Sequence, residues 1–148
     1  MQKSMIALLS LLFSLSAPAA DGMIEMKSAH SAADTATRLV AVIETRKLNL
    51  FARIDHAAGA KKIDKMLRPT EVFIFGNPMG GTPLMECAQS IGIDLPLKML
   101  IWQTAEGNVM VGYNDPAWLA KRHGTTCEPA VGNISKALNG IAAAVAAP

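Results

Sequence analysis

The chain has 148 residues, 51% of them hydrophobic and 18% charged, with 14 Lys and Arg against 12 Asp and Glu for a formal net charge of +2. This balance excludes a fibrous, collagenous or broadly disordered protein, and it lacks the basic excess of a nucleic-acid binder. Setting the first 20 residues apart leaves about 128 residues with a formal charge of +1, enough for one independent core.

Those first residues read as an address. Lys3 supplies a positive flank, Met5 to Leu15 an apolar run, and Ala17 to Ala20 the small residues of a cleavage site. This is the layout of a secretory signal peptide over residues 1–20, and the run is too short and serine-interrupted for a membrane span. The expectation is a periplasmic or secreted domain over residues 21–148, with no stable membrane insertion after cleavage.

Met23 to Lys27 predicts a first strand. Ser31 followed by Asp34 has the form of a capping box, and Ala33, Ala36, Val40 and Ile43 recur at helical spacing up to about Arg46. Leu48, Leu50, Ala52 and Ile54 alternate with polar and aromatic neighbours, which fits a strand of period two. A shorter helix follows from about His56 to Leu67 and stops at Pro69. Val72 to Phe75 is a continuous apolar run ending at Gly76, the pattern of a strand covered on both faces. Gly76 to Gly81 reads as a turn, closed by Thr82 as N-cap and Pro83 at the first helical position, with the helix reaching about Ser90. Leu97 to Trp102 and Val109 to Tyr113 flank Glu106, Gly107 and Asn108 as a hairpin. Asp115 and Pro116 open another helix over Ala117 to Arg122, and Ile134, Leu138, Ile141 and Val145 mark a last amphipathic one. Together these predict one domain of α/β class (α+β mixed), a single layer of mixed β-sheet packed with helices.

Familiar chemistry is sparse. Gly76, Gly80 and Gly81 before a helix suggest backbone donors for an anion, although no phosphate-loop or dinucleotide motif is present and Pro78 lacks an NH. His30, His56 and His123 fall in no metal-ligand spacing. Met79, Met85 and Cys87 with His56 or His123 would make a soft copper set, yet the methionines are dispersed, as core filler is. Cys87 and Cys127 are an even pair: in an oxidising compartment they permit a disulfide, and they equally fit two separate buried thiols. Cys87 with His56 or His123 also fits a nucleophile and base. No G-x-S-x-G elbow supports a serine hydrolase. Asp94, between Ile93 and Leu95 ahead of Pro96, needs Arg, His or backbone NH partners and is placed to orient a histidine or to hold its loop shut.

Several stretches converge on one resemblance: FARIDH at Phe51 to His56, Pro69-Thr70, IFGNP at Ile74 to Pro78, GTPLM at Gly81 to Met85, IDLPLK at Ile93 to Lys98, YNDP at Tyr113 to Pro116, and Arg122-His123. From about residue 22 to 145 the chain resembles the DUF302 family, of TT1751-like fold. The resemblance implies a compact α/β domain with a mixed sheet, often dimeric, with no agreed activity, substrate or cofactor. It further implies a shared polar pocket drawn from Arg53, Asp55, His56, Asn77, Thr82, Met85, Asp94, Lys98, Tyr113, Asn114, Arg122 and His123.

The leading expectation is therefore an exported module binding a small polar or anionic ligand through Arg53, Asn77, Gly80, Gly81, Thr82, Tyr113, Arg122 and His123. Three alternatives stand beside it. They are an enzyme with His56 as base and Asp94 or Asp55 as orienter, His123 being a further catalytic candidate, a metal or haem protein ligated by His56, Met85 or His123, and a homodimeric interaction module.

Overall fold

Side-chain caps fix most helix starts. In the computed structural model, which describes residues 20–148, Ser31 Oγ accepts from the Asp34 NH at 3.1 Å to open α1 (Ala32–Thr45), after the first strand, β1 (Met23–Lys27). Apart from Ala20, the segment expected to be a signal peptide lies outside the described residues. β2 (Asn49–Asp55) runs into α2 (His56–Lys61), where Asp55 caps through the Ala58 NH at 2.8 Å. Then come β3 (Thr70–Gly76), α3 (Pro78–Cys87), a 3₁₀ helix (Gln89–Ile93), β4 (Leu97–Gln103), β5 (Val109–Asn114), α4 (Pro116–Arg122) and α5 (Ala130–Ala146).

Three local expectations change. α3 begins at Asn77-Pro78 rather than Thr82-Pro83, because Asn77 Oδ1 accepts from the Gly80 NH at 2.9 Å and Pro78 fits N1. Gly80, Gly81 and Thr82 are thus helical. α2 ends near Lys61, well before Leu67, and the chain turns through Asp64 at a φ of 54°. The period-two reading of β2 breaks at Phe51, where a bulge shifts the register between Leu50 and Ala52.

The sheet has the order β1-β5-β4-β3-β2, and every neighbouring pair is antiparallel. The layered α/β class holds, while the sheet expected as mixed contains no parallel pair. α1 carries the chain from one edge strand to the other, so β1 and β2 never meet. β2 to β5 follow as a meander with helical insertions, which antiparallel strands permit.

One face carries the core. Phe73, Phe75, Met99, Ile101, Val111 and Tyr113 point to it and are buried with Leu39 and Ile43 of α1 and Leu138, Ile141 and Val145 of α5. On the opposite face Ile54, Val72, Ile74, Leu100, Trp102 and Met110 stay exposed or half-buried. β3 was expected to be covered on both sides. Its even-numbered residues Val72 and Ile74 show that helices shield one side alone, as antiparallel layers allow.

Candidate functional site

The end of the sheet where β3 stops and β4 starts gathers most of the candidate residues. α3 leaves β3 at Asn77 and crosses toward α5, so Gly81 and Met85 of α3, Leu95 and Leu97 at the start of β4, and Ile134 and Leu138 of α5 enclose a cavity of about 430 Å³. Its lining is almost wholly apolar, with Phe51 and Phe75 forming the sheet side. Glycines at 80 and 81 leave this space open. A Cβ built on Gly81 would lie 3.5 Å from Leu95 Cδ1, an ordinary contact, with room beyond it.

Of the eight residues expected to bind ligand, Asn77, Gly80, Gly81 and Thr82 line this cavity. They do not form an anion loop. The Asn77 carboxamide and carbonyl take the Gly80 NH, the Asn77 carbonyl also takes the Gly81 NH at 3.2 Å, and Pro78 has no NH to offer. Arg53 is elsewhere, paired with Glu71 and stacked 5.2 Å over the Phe73 ring. Glu71 holds the Arg53 guanidinium above the ordinary arginine range, chiefly through their hydrogen bond. Tyr113 is a core residue at 3% exposure. Burial first, and then the charge of Asp115, push its phenol above the ordinary tyrosine range.

Tyr113 is the single tyrosine of the chain, so its titration can be read directly. Folding favours the protonated phenol, which stabilises the fold below the ordinary pKa of about 10 and ceases to do so as pH climbs through the raised folded-state value. Absorbance at 295 nm is expected to show tyrosinate forming above that ordinary value and in step with loss of near-UV circular dichroism. A midpoint at or below the ordinary value, in folded protein, would contradict the buried placement.

A second cluster joins the 3₁₀ helix to α4. His123, the C-cap of α4, lies between Ser90 Oγ, 2.8 Å from its Nδ1, and Asp94 Oδ2, 2.6 Å from its Nε2. Arg122 Nη1 donates to Asp94 Oδ1 at 2.7 Å. Just before the 3₁₀ helix and just after α4, a disulfide joins Cys87 at the end of α3 to Cys127 in the loop ahead of α5, with Cα atoms 5.7 Å apart. That bond decides the open cysteine question and corrects the nucleophile reading, since neither sulfur is a thiol. Lys98 closes the loop before β4 by donating to the carbonyls of Asp94 and Pro96 at 2.8 and 3.0 Å.

His56 is not part of this group. It follows Asp55, which pairs with Glu71 at the start of β3, whereas Asn77 follows the end of that strand. At about 3.3 Å per residue the two ends are roughly 20 Å apart, too far for one small ligand. His56 as base with Asp94 is therefore corrected: it is exposed at the opposite end of the sheet. The same separation undoes the metal set of His56, Met85 and His123. Met85 borders the apolar cavity, and among the described residues no group of three or more His, Cys, Asp or Glu converges. His30 Nε2 lies 2.7 Å from the Ala147 carbonyl, a contact that fastens the end of α5. Ser90 is the residue that sequence reasoning missed, because its partner lies 33 positions away.

A family model described as "Domain of unknown function DUF302" matches residues 24–145. A crystal structure of an uncharacterized conserved DUF302 protein from Bacillus stearothermophilus superposes with a TM-score of 0.76 at 15% identity, covering 85% of this chain and 99% of that one. The chain is also 47% identical over 102 residues to proteins named fluoride-specific ion channel FluC 1 from Brucella suis and FluC 2 from Brucella melitensis. The match covers 69% of this chain and 40% and 38% of those proteins, so it spans about two-fifths of their length. Among the described residues no helix is long and apolar enough to cross a membrane.

Proposed function

The chain belongs to the DUF302 family, a domain of unknown function, and on that premise we propose that it is an exported binding domain for a small, largely apolar molecule held between α3, β4 and α5. One observation carries this reading: the cavity of about 430 Å³ combines the size of a small-molecule site with an apolar lining. A polar or anionic ligand would lose its hydration there for few partners, because the lining is mostly apolar and the Gly80 and Gly81 NH groups already bond to Asn77. Export is supported by the layout of residues 1–20 and by the Cys87–Cys127 bond, which persists in oxidising compartments.

The test uses an uncharged apolar fluorophore, N-phenyl-1-naphthylamine, with the disulfide-bonded protein. Wild type is expected to enhance its emission saturably, and Gly81→Leu to weaken binding at least tenfold by placing an isobutyl group in the cavity. Since a glycine inside a helix costs about 0.5–1 kcal/mol, the variant should melt no lower than wild type. No uptake by wild type, or undiminished uptake by Gly81→Leu, overturns the reading. Native mass spectrometry of the same samples weighs a second one, association of two copies through the uncovered apolar face of the sheet; a mass of one chain at micromolar concentration rejects it.

A further inference from the structure

Asp94 and His123 were each candidates for catalysis, but their arrangement with Ser90 was legible only in three dimensions. We propose that Ser90, His123 and Asp94 form an acyl-transfer centre that hydrolyses carboxylic esters presented at the protein surface. It is independent of the apolar cavity. Catalytic serines of this kind are recognised by geometry and roles, not by sequence position, so the missing G-x-S-x-G elbow does not bear on it.

With His123 neutral, its two hydrogen bonds fix which ring nitrogen carries the hydrogen. An ionised carboxylate only accepts, so the 2.6 Å contact to Asp94 Oδ2 puts the hydrogen of a neutral His123 on Nε2. Nδ1 is then the bare nitrogen, and across 2.8 Å it accepts from the Ser90 hydroxyl. Arg122 Nη1 donates to the other carboxylate oxygen, Asp94 Oδ1. The result is a hydroxyl, a base and an orienting carboxylate in series.

Burial is graded along the series. The His123 and Asp94 side chains are 9% and 11% exposed, while Ser90 is exposed. The relay is shielded where water would compete for its hydrogen bonds, and the reacting oxygen is open to substrate. The Cys87–Cys127 bond holds the Ser90 segment against the His123 segment, the kind of support a preorganised site needs. A clamp alone would need only the Arg122–Asp94 ion pair. An exposed hydroxyl aimed at the bare ring nitrogen adds a reacting group to it.

Ser90 Oγ bonds to the ester carbonyl carbon as its proton moves to His123 Nδ1. When the tetrahedral adduct collapses, the bond from carbon to the alcohol oxygen breaks, and that oxygen takes the proton from Nδ1. Water then adds to the acyl-Ser90 ester, giving its proton to Nδ1. Collapse returns that proton to Ser90 Oγ and releases the carboxylic acid, so ester and water become acid and alcohol. Base assistance of this kind supplies about 10²–10⁴-fold, which predicts modest turnover of activated esters.

The experiment treats the disulfide-bonded protein with a fluorophosphonate and locates the adduct by peptide mass spectrometry, with hydrolysis of p-nitrophenyl acetate followed in parallel. One adduct is expected, on Ser90, absent from Ser90→Ala, and formed at least tenfold more slowly in His123→Gln and Asp94→Asn. Ser90→Ala should reduce ester turnover to the buffer rate while melting within a few degrees of wild type. Because Ser90 is exposed, that variant tests chemistry without testing folding. No adduct on Ser90, an adduct elsewhere with equal turnover in Ser90→Ala, or labelling as fast in folded His123→Gln as in wild type overturns the assignment.

Discussion

Replacing Cys87 and Cys127 together with Ser is expected to lower the unfolding free energy by about 3–4 kcal/mol, a large share of the 5–15 kcal/mol typical of a domain. The bond closes a loop between residues 40 positions apart, and releasing it returns that conformational freedom to the unfolded chain. Cys127 has a left-handed backbone with φ at 49°, a conformation Ser must also adopt. The double variant therefore keeps the local backbone cost and removes the bond. Denaturant unfolding of wild type, reduced wild type and the double variant is the measurement. The latter two should coincide at a lower midpoint, and three equal midpoints would show that the bond contributes nothing.

Phe73→Ala is expected to cost about 3–5 kcal/mol, the range for emptying a buried phenylalanine site. Phe73 is at 0% exposure on β3, paired with Arg53 of β2 and Met99 of β4, so its removal leaves a void inside the sheet's buried face. Arg53→Ala is the control. It loses the guanidinium above the same ring and the pair with Glu71. Its side chain is 49% exposed, which holds the expected loss to about 1 kcal/mol or less. Thermal and denaturant melts of the two variants should differ severalfold. Similar losses would mean that the Arg53–Glu71 pair, and not the ring, holds β2 to β3.

The local caps were the most legible part of the structure. Ser31 with Asp34 and Asp115 with Ala117 act over two or three residues, so spacing alone exposes them. The same chemistry misplaced α3, since Asn77-Pro78 and Thr82-Pro83 both spell a helix start and only the first is used. Glycines at 80 and 81 suggested a turn, but their chain is held helical by Asn77 upstream. The sheet was harder. A continuous apolar run at Val72 to Phe75 does not say which residues meet helices, and the alternation Phe73, Phe75 inward appears only once α1 and α5 lie on one face.

The candidate site was legible residue by residue and not as a set. Asp94 was recognised as needing Arg or His, and it found both in Arg122 and His123. Ser90 carried no local signal, and His56 carried a misleading one, because nothing in the sequence places them relative to the two ends of a strand. Cys87 and Cys127 left two readings open for the same reason. Pairing across 40 residues is a property of how the end of α3 meets the loop between α4 and α5.

The edge position of β1 bears on when this fold can form. Its hydrogen-bonding partner is β5, so Met23 to Lys27 waits for Val109 to Asn114 before it has a neighbour. Contacts of such long separation slow folding, because the intervening chain must be ordered before they form. A chain emerging from the ribosome thus holds its first strand unpaired until three-quarters of its length has been made, and α5 comes later still. Completion of the sheet is a late event in the life of the polypeptide.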